Sequence, residues 1–221
     1  MFLRSTELKQ MLIDLYKRLI VKQRTNIHLS DFDFPRKSLY DRLYPVEPDE
    51  ATILRWVRGE SAHSFFRDIF KHFPNAEIEK TKPFVKMGHQ PIYSTPDVAL
   101  VKREEWPFDV VFEFKSTIGS QIAQHWVQRL HRYMAVNDDP YGVLTVHFLL
   151  RNKIECFPIE LPESKLSSLR DSIAYIGDVF EKGLDSKVNP FPKCPPWMCK
   201  DCTHKVRCMR DFTKYSIKEV L

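Results

Sequence analysis

The chain has 221 residues and a mass of 26.2 kDa, with 43% hydrophobic and 29% charged residues. That is the size of one globular domain with at most a small appendage. The hydrophobic share excludes disorder, and no apolar run approaches the roughly 18 residues of a membrane helix. Six glycines and the lack of any GxGxxG or GxxxxGK[ST] run argue against a nucleotide switch or a dinucleotide oxidoreductase. The net charge of +5 is unevenly placed. Residues 1–44 carry nine Lys/Arg against five Asp/Glu, and residues 193–221 carry seven against three, leaving an acidic excess between them. Basic flanks around an acidic centre suit a phosphate backbone led toward a metal site, and equally suit ordinary solvated helix faces.

Residues 5–23 read as an amphipathic helix with Leu8, Leu12, Leu15, Leu19 and Ile20 as its apolar stripe. Charges interrupt this segment, so it lacks the apolar core of a signal peptide, and cytoplasmic residence is the expectation. Turn signals and a short helix occupy 26–45, and a long helix is predicted over 50–73. The stretch 76–117 is strand-rich, and a polar-faced helix follows over 120–136. Two strands then meet at a turn on Arg151-Asn152, and a helix over 163–183 is expected to end before Gly183. The proline- and cysteine-rich stretch 189–202 excludes a regular element. The order α-β-β-β-α-β-β-α predicts an α/β or α+β fold, the former favoured, with a mixed central sheet flanked by helices. Within a single domain, the expected divisions are an N-terminal helical lobe (1–48), a core (49–162) and a helix with a cysteine tail (163–221).

In VVFEFKS, Glu113 and Lys115 share one strand face while Phe112 and Phe114 take the other. A Glu beside a Lys in an apolar strand requires pairing or a ligand. Asp97, straight after Pro96, opens the apolar run DVALV. If the two strands are neighbours, two carboxylates and an ammonium converge, which is what metal-assisted phosphodiester hydrolysis needs. The carboxylates are hard ligands for Mg²⁺ or Mn²⁺, and the lysine can orient water or offset developing negative charge. A structural Glu–Lys pair is the alternative for these residues alone. His63 follows Gly59 as GESAH, on the helix face that carries Phe66, Phe70 and Phe73.

With Gly59 and His63 as GxxxH, Pro96-Asp97 as the PD element and Glu113 with Lys115 as ExK, the sequence resembles the PD-(D/E)xK nucleases of the RecB-like branch. The resemblance implies their restriction-endonuclease-like core. It implies His63, Asp97 and Glu113 as metal ligands, the Phe114 carbonyl as a further one, and Lys115 as the catalytic lysine. The family's QxxxY motif is matched imperfectly, because Gln128 and Tyr133 are five residues apart and cannot share one helix face well. Gln124, His125, Gln128, Arg129 and Arg132 on the same helix are candidates for binding phosphates or bases.

Cys194, Cys199, Cys202 and Cys208 place four thiols in a short tail, enough for one zinc or one iron–sulfur cluster. In a reducing compartment such thiols read as metal ligands rather than disulfides. Cys156, alternating with Ile154, reads as a buried small hydrophobe. The tail CKDCTHKVRC and the segment DFDFPRKSLYDRL are similar to the iron–sulfur staple of RecB-like nucleases, including the fourth family of CRISPR-associated proteins. Phe34 stands at the family's first cluster cysteine, so Cys194 is the replacement ligand. That departure leaves [2Fe–2S] or zinc open beside [4Fe–4S]. The resemblance implies a Mg²⁺- or Mn²⁺-dependent exonuclease acting 5′→3′ on single-stranded DNA ends. It also implies trimming DNA for spacer acquisition with CRISPR integrase partners, with a viral or mobile-element homologue equally compatible. A restriction- or repair-type endonuclease and a non-catalytic DNA-binding adaptor are the alternatives. Nothing in the sequence decides the oligomeric state.

Overall fold

The structure, a computed structural model, describes residues 5–20, 25–85, 90–102, 108–200 and 202–215. Helix α1 (Ser5–Ile20) packs on α3 (Glu50–Phe70), with Ile13 buried and Leu15 exposed. The side chains of Leu8, Leu12, Leu19 and Ile20, and residues 21–23 of the expected helix, lie outside the described residues. Strand β1 (Ile27–His28) leads into a 3-10 turn (Leu29–Asp33) and helix α2 (Pro35–Leu43). Pro35 suits the first helical position, where its missing N–H has no intrahelical partner to lose. Asp49 caps α3 by accepting the Thr52 N–H at 2.8 Å.

Strands β2 (Ala76–Ile78), β3 (Lys82–Phe84), β4 (Ile92–Ser94), β5 (Val98–Leu100) and β6 (Val110–Thr117) follow. After helix α4 (Gln124–Asn137) come β7 (Tyr141–Phe148), β8 (Lys153–Glu160) and helix α5 (Glu163–Ser186). Among the described residues two mixed sheets form, one ordered β1-β4-β3 and one ordered β2-β5-β6-β7-β8. Within the larger sheet only β6 and β7 are parallel, because α4 connects them as a crossover along one face. Helix α3 covers the other face, where Phe66 stacks on Phe114 at 4.6 Å and Phe70 meets Phe112 at 4.8 Å. The main core joins Val111 and Leu144 of the sheet to Leu130 and Met134 of α4 and Phe180 of α5. Leu29, Phe32 and Leu39 enter this same core, so the N-terminal segment is built into the α4–α5 layer.

Three local expectations are corrected. Helix α5 runs through Gly183 to Ser186 and closes on Lys187 at φ 56°. Gly183 does not end the helix; it admits a close neighbour, since a Cβ there would lie 2.7 Å from Leu39 Cδ2. Cys156 is exposed rather than buried, because it lies on the outer face of edge strand β8, alongside the half-exposed Ile154. The proline-rich stretch contains a short helix, α6 (Pro196–Cys199), before α7 (Lys205–Tyr215), since proline is tolerated in a helix's first turn. The expected turn carries Asn152 at φ 46°, a left-handed conformation that asparagine tolerates.

Candidate active site

The antiparallel register of β5 and β6 pairs Val98 with Phe112, which brings Asp97, one residue before β5, level with Glu113. Asp97 and Glu113 are only 8% and 2% exposed. The Phe114 N–H donates to Asp97 Oδ2 at 2.6 Å, and His63 Nδ1 lies 3.1 Å from Asp97 Oδ1. Helix α3 thus delivers its histidine to the sheet end while its phenylalanines pack lower on the same face. Lys115 bonds the Glu113 carboxylate and donates to the Phe114 carbonyl at 2.8 Å. The structure brings together His63, Asp97, Glu113, Phe114 and Lys115.

Burial by itself would raise the Asp97 carboxyl, but its bond with His63, the Lys115 charge and the Phe114 N–H outweigh it and hold it below the ordinary range. Glu113 moves the other way. Its burial, with Asp97 adding to it, outweighs Lys115 and Arg129 and raises it above the ordinary carboxylate range. Two buried carboxyls with opposed shifts thus share one strand end. Imidazole and hard oxygen donors are the donor set that Mn²⁺ or Mg²⁺ accepts. As the side chains stand, no three His, Cys, Asp or Glu among the described residues are grouped to hold one ion. Glu113 is instead turned to the cations Lys115 and Arg129.

Helix α4 lies over this face of β6. Arg129 Nη1 is 3.4 Å from Glu113 Oε1, and its Nε donates to Asp33 Oδ2 at 2.7 Å. Arg132 Nη1 donates to the other Asp33 oxygen at 2.8 Å. Burial alone would lower the Arg129 guanidinium, but Glu113, Tyr133 and Asp33 raise it. For Arg132 burial prevails over Asp33, and the shift is downward. Tyr133 is buried, and burial with the nearby Glu113 charge raises its phenol. Gln128 and Gln124 are exposed on the outer side of α4. Asp33, the carboxylate that organises both arginines, was not singled out by sequence. It lies 96 residues from Arg129, and no local pattern links a 3-10 turn to a distant helix.

The four tail cysteines, Cys194, Cys199, Cys202 and Cys208, line a single cavity of about 50 Å³. Arg36, 3% exposed, reaches in from α2: its Nε donates to Cys208 Sγ at 2.9 Å and its Nη1 to the Phe191 carbonyl at 2.6 Å. Burial, with the neighbouring thiols adding to it, raises the Cys194 thiol. His204 is buried beside them, 2.9 Å from Asp41 and stacked on Tyr40. Zinc and iron–sulfur clusters take thiol donors of this kind, but as the side chains stand no three of these cysteines are grouped to hold one ion. Phe34, where the resembling family has a cysteine, packs instead against the rings of His125 at 4.9 Å and Trp197 at 5.6 Å.

No family model matches the sequence, and no curated protein matches it. Among solved structures, an alkaline exonuclease (LHK-Exo) from Laribacter hongkongensis is similar at a TM-score of 0.47 and 9% identity, over 79% of this chain and 89% of that one. Its complex with dAMP gives a TM-score of 0.47 at 10% identity over the same shares. The crystal structure of SSO0001 is similar at a TM-score of 0.64 and 18% identity, over 92% of this chain and 97% of that one. This chain therefore shares the fold of SSO0001 along nearly all of its length.

Proposed function

We propose that the protein is a metal-dependent DNA nuclease, with His63, Asp97, Glu113 and the Phe114 carbonyl holding Mn²⁺ or Mg²⁺ and Lys115 as the catalytic lysine. The observation that carries this reading is the buried Asp97–Glu113 pair set level by the β5–β6 register, with Lys115 bonded across Glu113 and the Phe114 carbonyl. A divalent ion held there would supply an acidified water and offset charge on the reacting phosphate. Lys115 holds Glu113 and the Phe114 carbonyl in place, and its ammonium, only 11% exposed, is available to orient the attacking water. His63 fixes the Asp97 carboxylate from the opposite side. Arg129 adds a second, partly buried cation beside Glu113, placed to meet a phosphate.

The finer reading is an exonuclease of the PD-(D/E)xK, RecB-like kind that resembles the fourth family of CRISPR-associated proteins. It acts 5′→3′ on single-stranded DNA ends, and trimming for spacer acquisition beside an integrase is the role this implies. In this reading the cysteine-bound group, an iron–sulfur cluster or zinc, is structural and closed locally by Cys194. The test is degradation of end-labelled single-stranded DNA with Mn²⁺. Wild type degrades it, and Lys115→Ala lowers the rate by about 10²–10³-fold. A covalently closed single-stranded circle should survive, and its cleavage would convert the assignment to an endonuclease. No hydrolysis by wild type with any divalent ion, alongside retained DNA binding, would sink the nuclease reading in favour of a binding module.

A further inference from the structure

Three aromatic rings from three distant parts of the chain meet at one place. Phe34 precedes α2, His125 lies in the first turn of α4, and Trp197 is on α6. His125 and Trp197 are stacked, with centroids 6.1 Å apart and an interplanar angle of 28°, and Phe34 touches both. A cluster that served packing alone would bury its largest member, yet Trp197 is 62% exposed. His125 is also one helical turn before Arg129, on the same face of α4, and Arg129 reaches Glu113. The rings therefore begin about one helical rise of 5.4 Å from the arginine that borders the carboxylates.

We infer that Phe34, His125 and Trp197 form a stacking platform that takes an unpaired base of single-stranded DNA and sets its phosphate toward the carboxylate site. This rests on the reading of the chain as a DNA nuclease and names how its substrate is held. Stacking on an exposed indole needs a base face that stacking within a duplex covers, which selects a single strand. The setting suits a polyanion, since Lys193 and Lys200, on either side of α6, are exposed. Burial lowers the His125 imidazole, so its ring is neutral near pH 7 and stacks without a charge to desolvate. Phe34 is integral to this: a thiol at that position would remove the ring that supports both others.

The test is anisotropy of fluorescein-labelled oligo(dT) on the full chain without added divalent ion. A second strand of equal length carries abasic residues, so its phosphates are kept and its bases removed. Trp197→Ala should weaken oligo(dT) binding about 5- to 100-fold, and Trp197→Phe should stay within about threefold of wild type on the same stacking scale. On the abasic strand all three proteins should bind alike, which separates lost stacking from a loosened tail. Equal oligo(dT) affinity of wild type and Trp197→Ala overturns the platform, as does an equal loss on the abasic strand. The nuclease reading fails separately. A Trp197-dependent affinity with no hydrolysis under any divalent ion supports the platform and removes the enzyme, whereas hydrolysis with an affinity indifferent to Trp197 does the reverse.

Discussion

Asp33 is the residue on which the cationic wall of the site depends. Its side chain is 2% exposed and bonds both Arg129 and Arg132, so it neutralises two guanidinium groups that burial would otherwise disfavour. Removing one member of such a group leaves uncompensated buried charge. Asp33→Ala should lower the urea unfolding free energy by about 3 kcal/mol, whereas a shift under about 0.5 kcal/mol would show the arginines to be solvated in solution. Asp139 carries the opposite electrostatics. Burial, with Asp109 adding to it and Lys82 opposing, pushes its carboxyl from 3.8 up to about 7. Between those values the folded protein binds more protons than the unfolded chain, so this residue's contribution to stability falls as pH rises and is flat above 7. Asp139→Asn should therefore gain on wild type between pH 4 and pH 7, by at most about 4 kcal/mol. Unfolding curves at intervals across that range check it, and a pH-independent difference would refute the shift.

At the scale of elements, the close approach of α5 to α2 sets where the N-terminal segment sits. Gly183 Cα faces Leu39 Cδ2 and the Val188 carbonyl, which an added Cβ would meet at 2.7 and 3.1 Å. Helix propensity alone favours alanine there by about 1 kcal/mol. The packing argument predicts the opposite sign, since the backbone carbonyl cannot yield as a side chain can. Gly183→Ala should lower stability by about 1–3 kcal/mol in denaturant unfolding, and a stabilised variant would mean that the α2–α5 contact relaxes freely. The β5–β6 pairing has an analogous role for the carboxylates. A one-residue slip would turn Asp97 to the opposite face from Glu113. The Phe114 N–H bond to Asp97 resists that slip.

At the scale of the whole molecule, the tail returns to the N-terminal segment through Arg36 on Cys208, Tyr40 on Asp211 at 3.2 Å and His204 on Asp41. Three contacts to one short helix make the cysteine cavity the fastening between the two ends of the chain. If Cys194 is a ligand, Cys194→Ser purifies with less bound metal, and trypsin cuts the tail beyond α5 faster than in wild type. Metal content by elemental analysis and the rate of appearance of the shortened band are the measurements. Unchanged metal content would remove Cys194 from the ligand set. Absorbance near roughly 400 nm in anaerobically purified protein marks iron–sulfur, and a colourless protein with one zinc marks the alternative.

Much of this is legible in the sequence alone. Periodicity located the helices and strands, because apolar spacing depends on residues within a few positions of one another. Strand alternation placed Glu113 and Lys115 on one face, and cysteine spacing marked the tail. Gly183 departs from its local signal for the same reason: as a helix breaker it signals an end, while its use here is room for Leu39. Cys156 departs because alternation identifies a strand face without saying whether anything covers it. Only the tertiary structure decided that Asp97 stands level with Glu113, that Asp33 holds Arg129 and Arg132, that Arg36 meets Cys208, and that Phe34 joins His125 and Trp197. These pairings join residues that share no local pattern, and they form when burial of the common core draws the 3-10 turn, α2, α4 and the tail onto one side of the sheet.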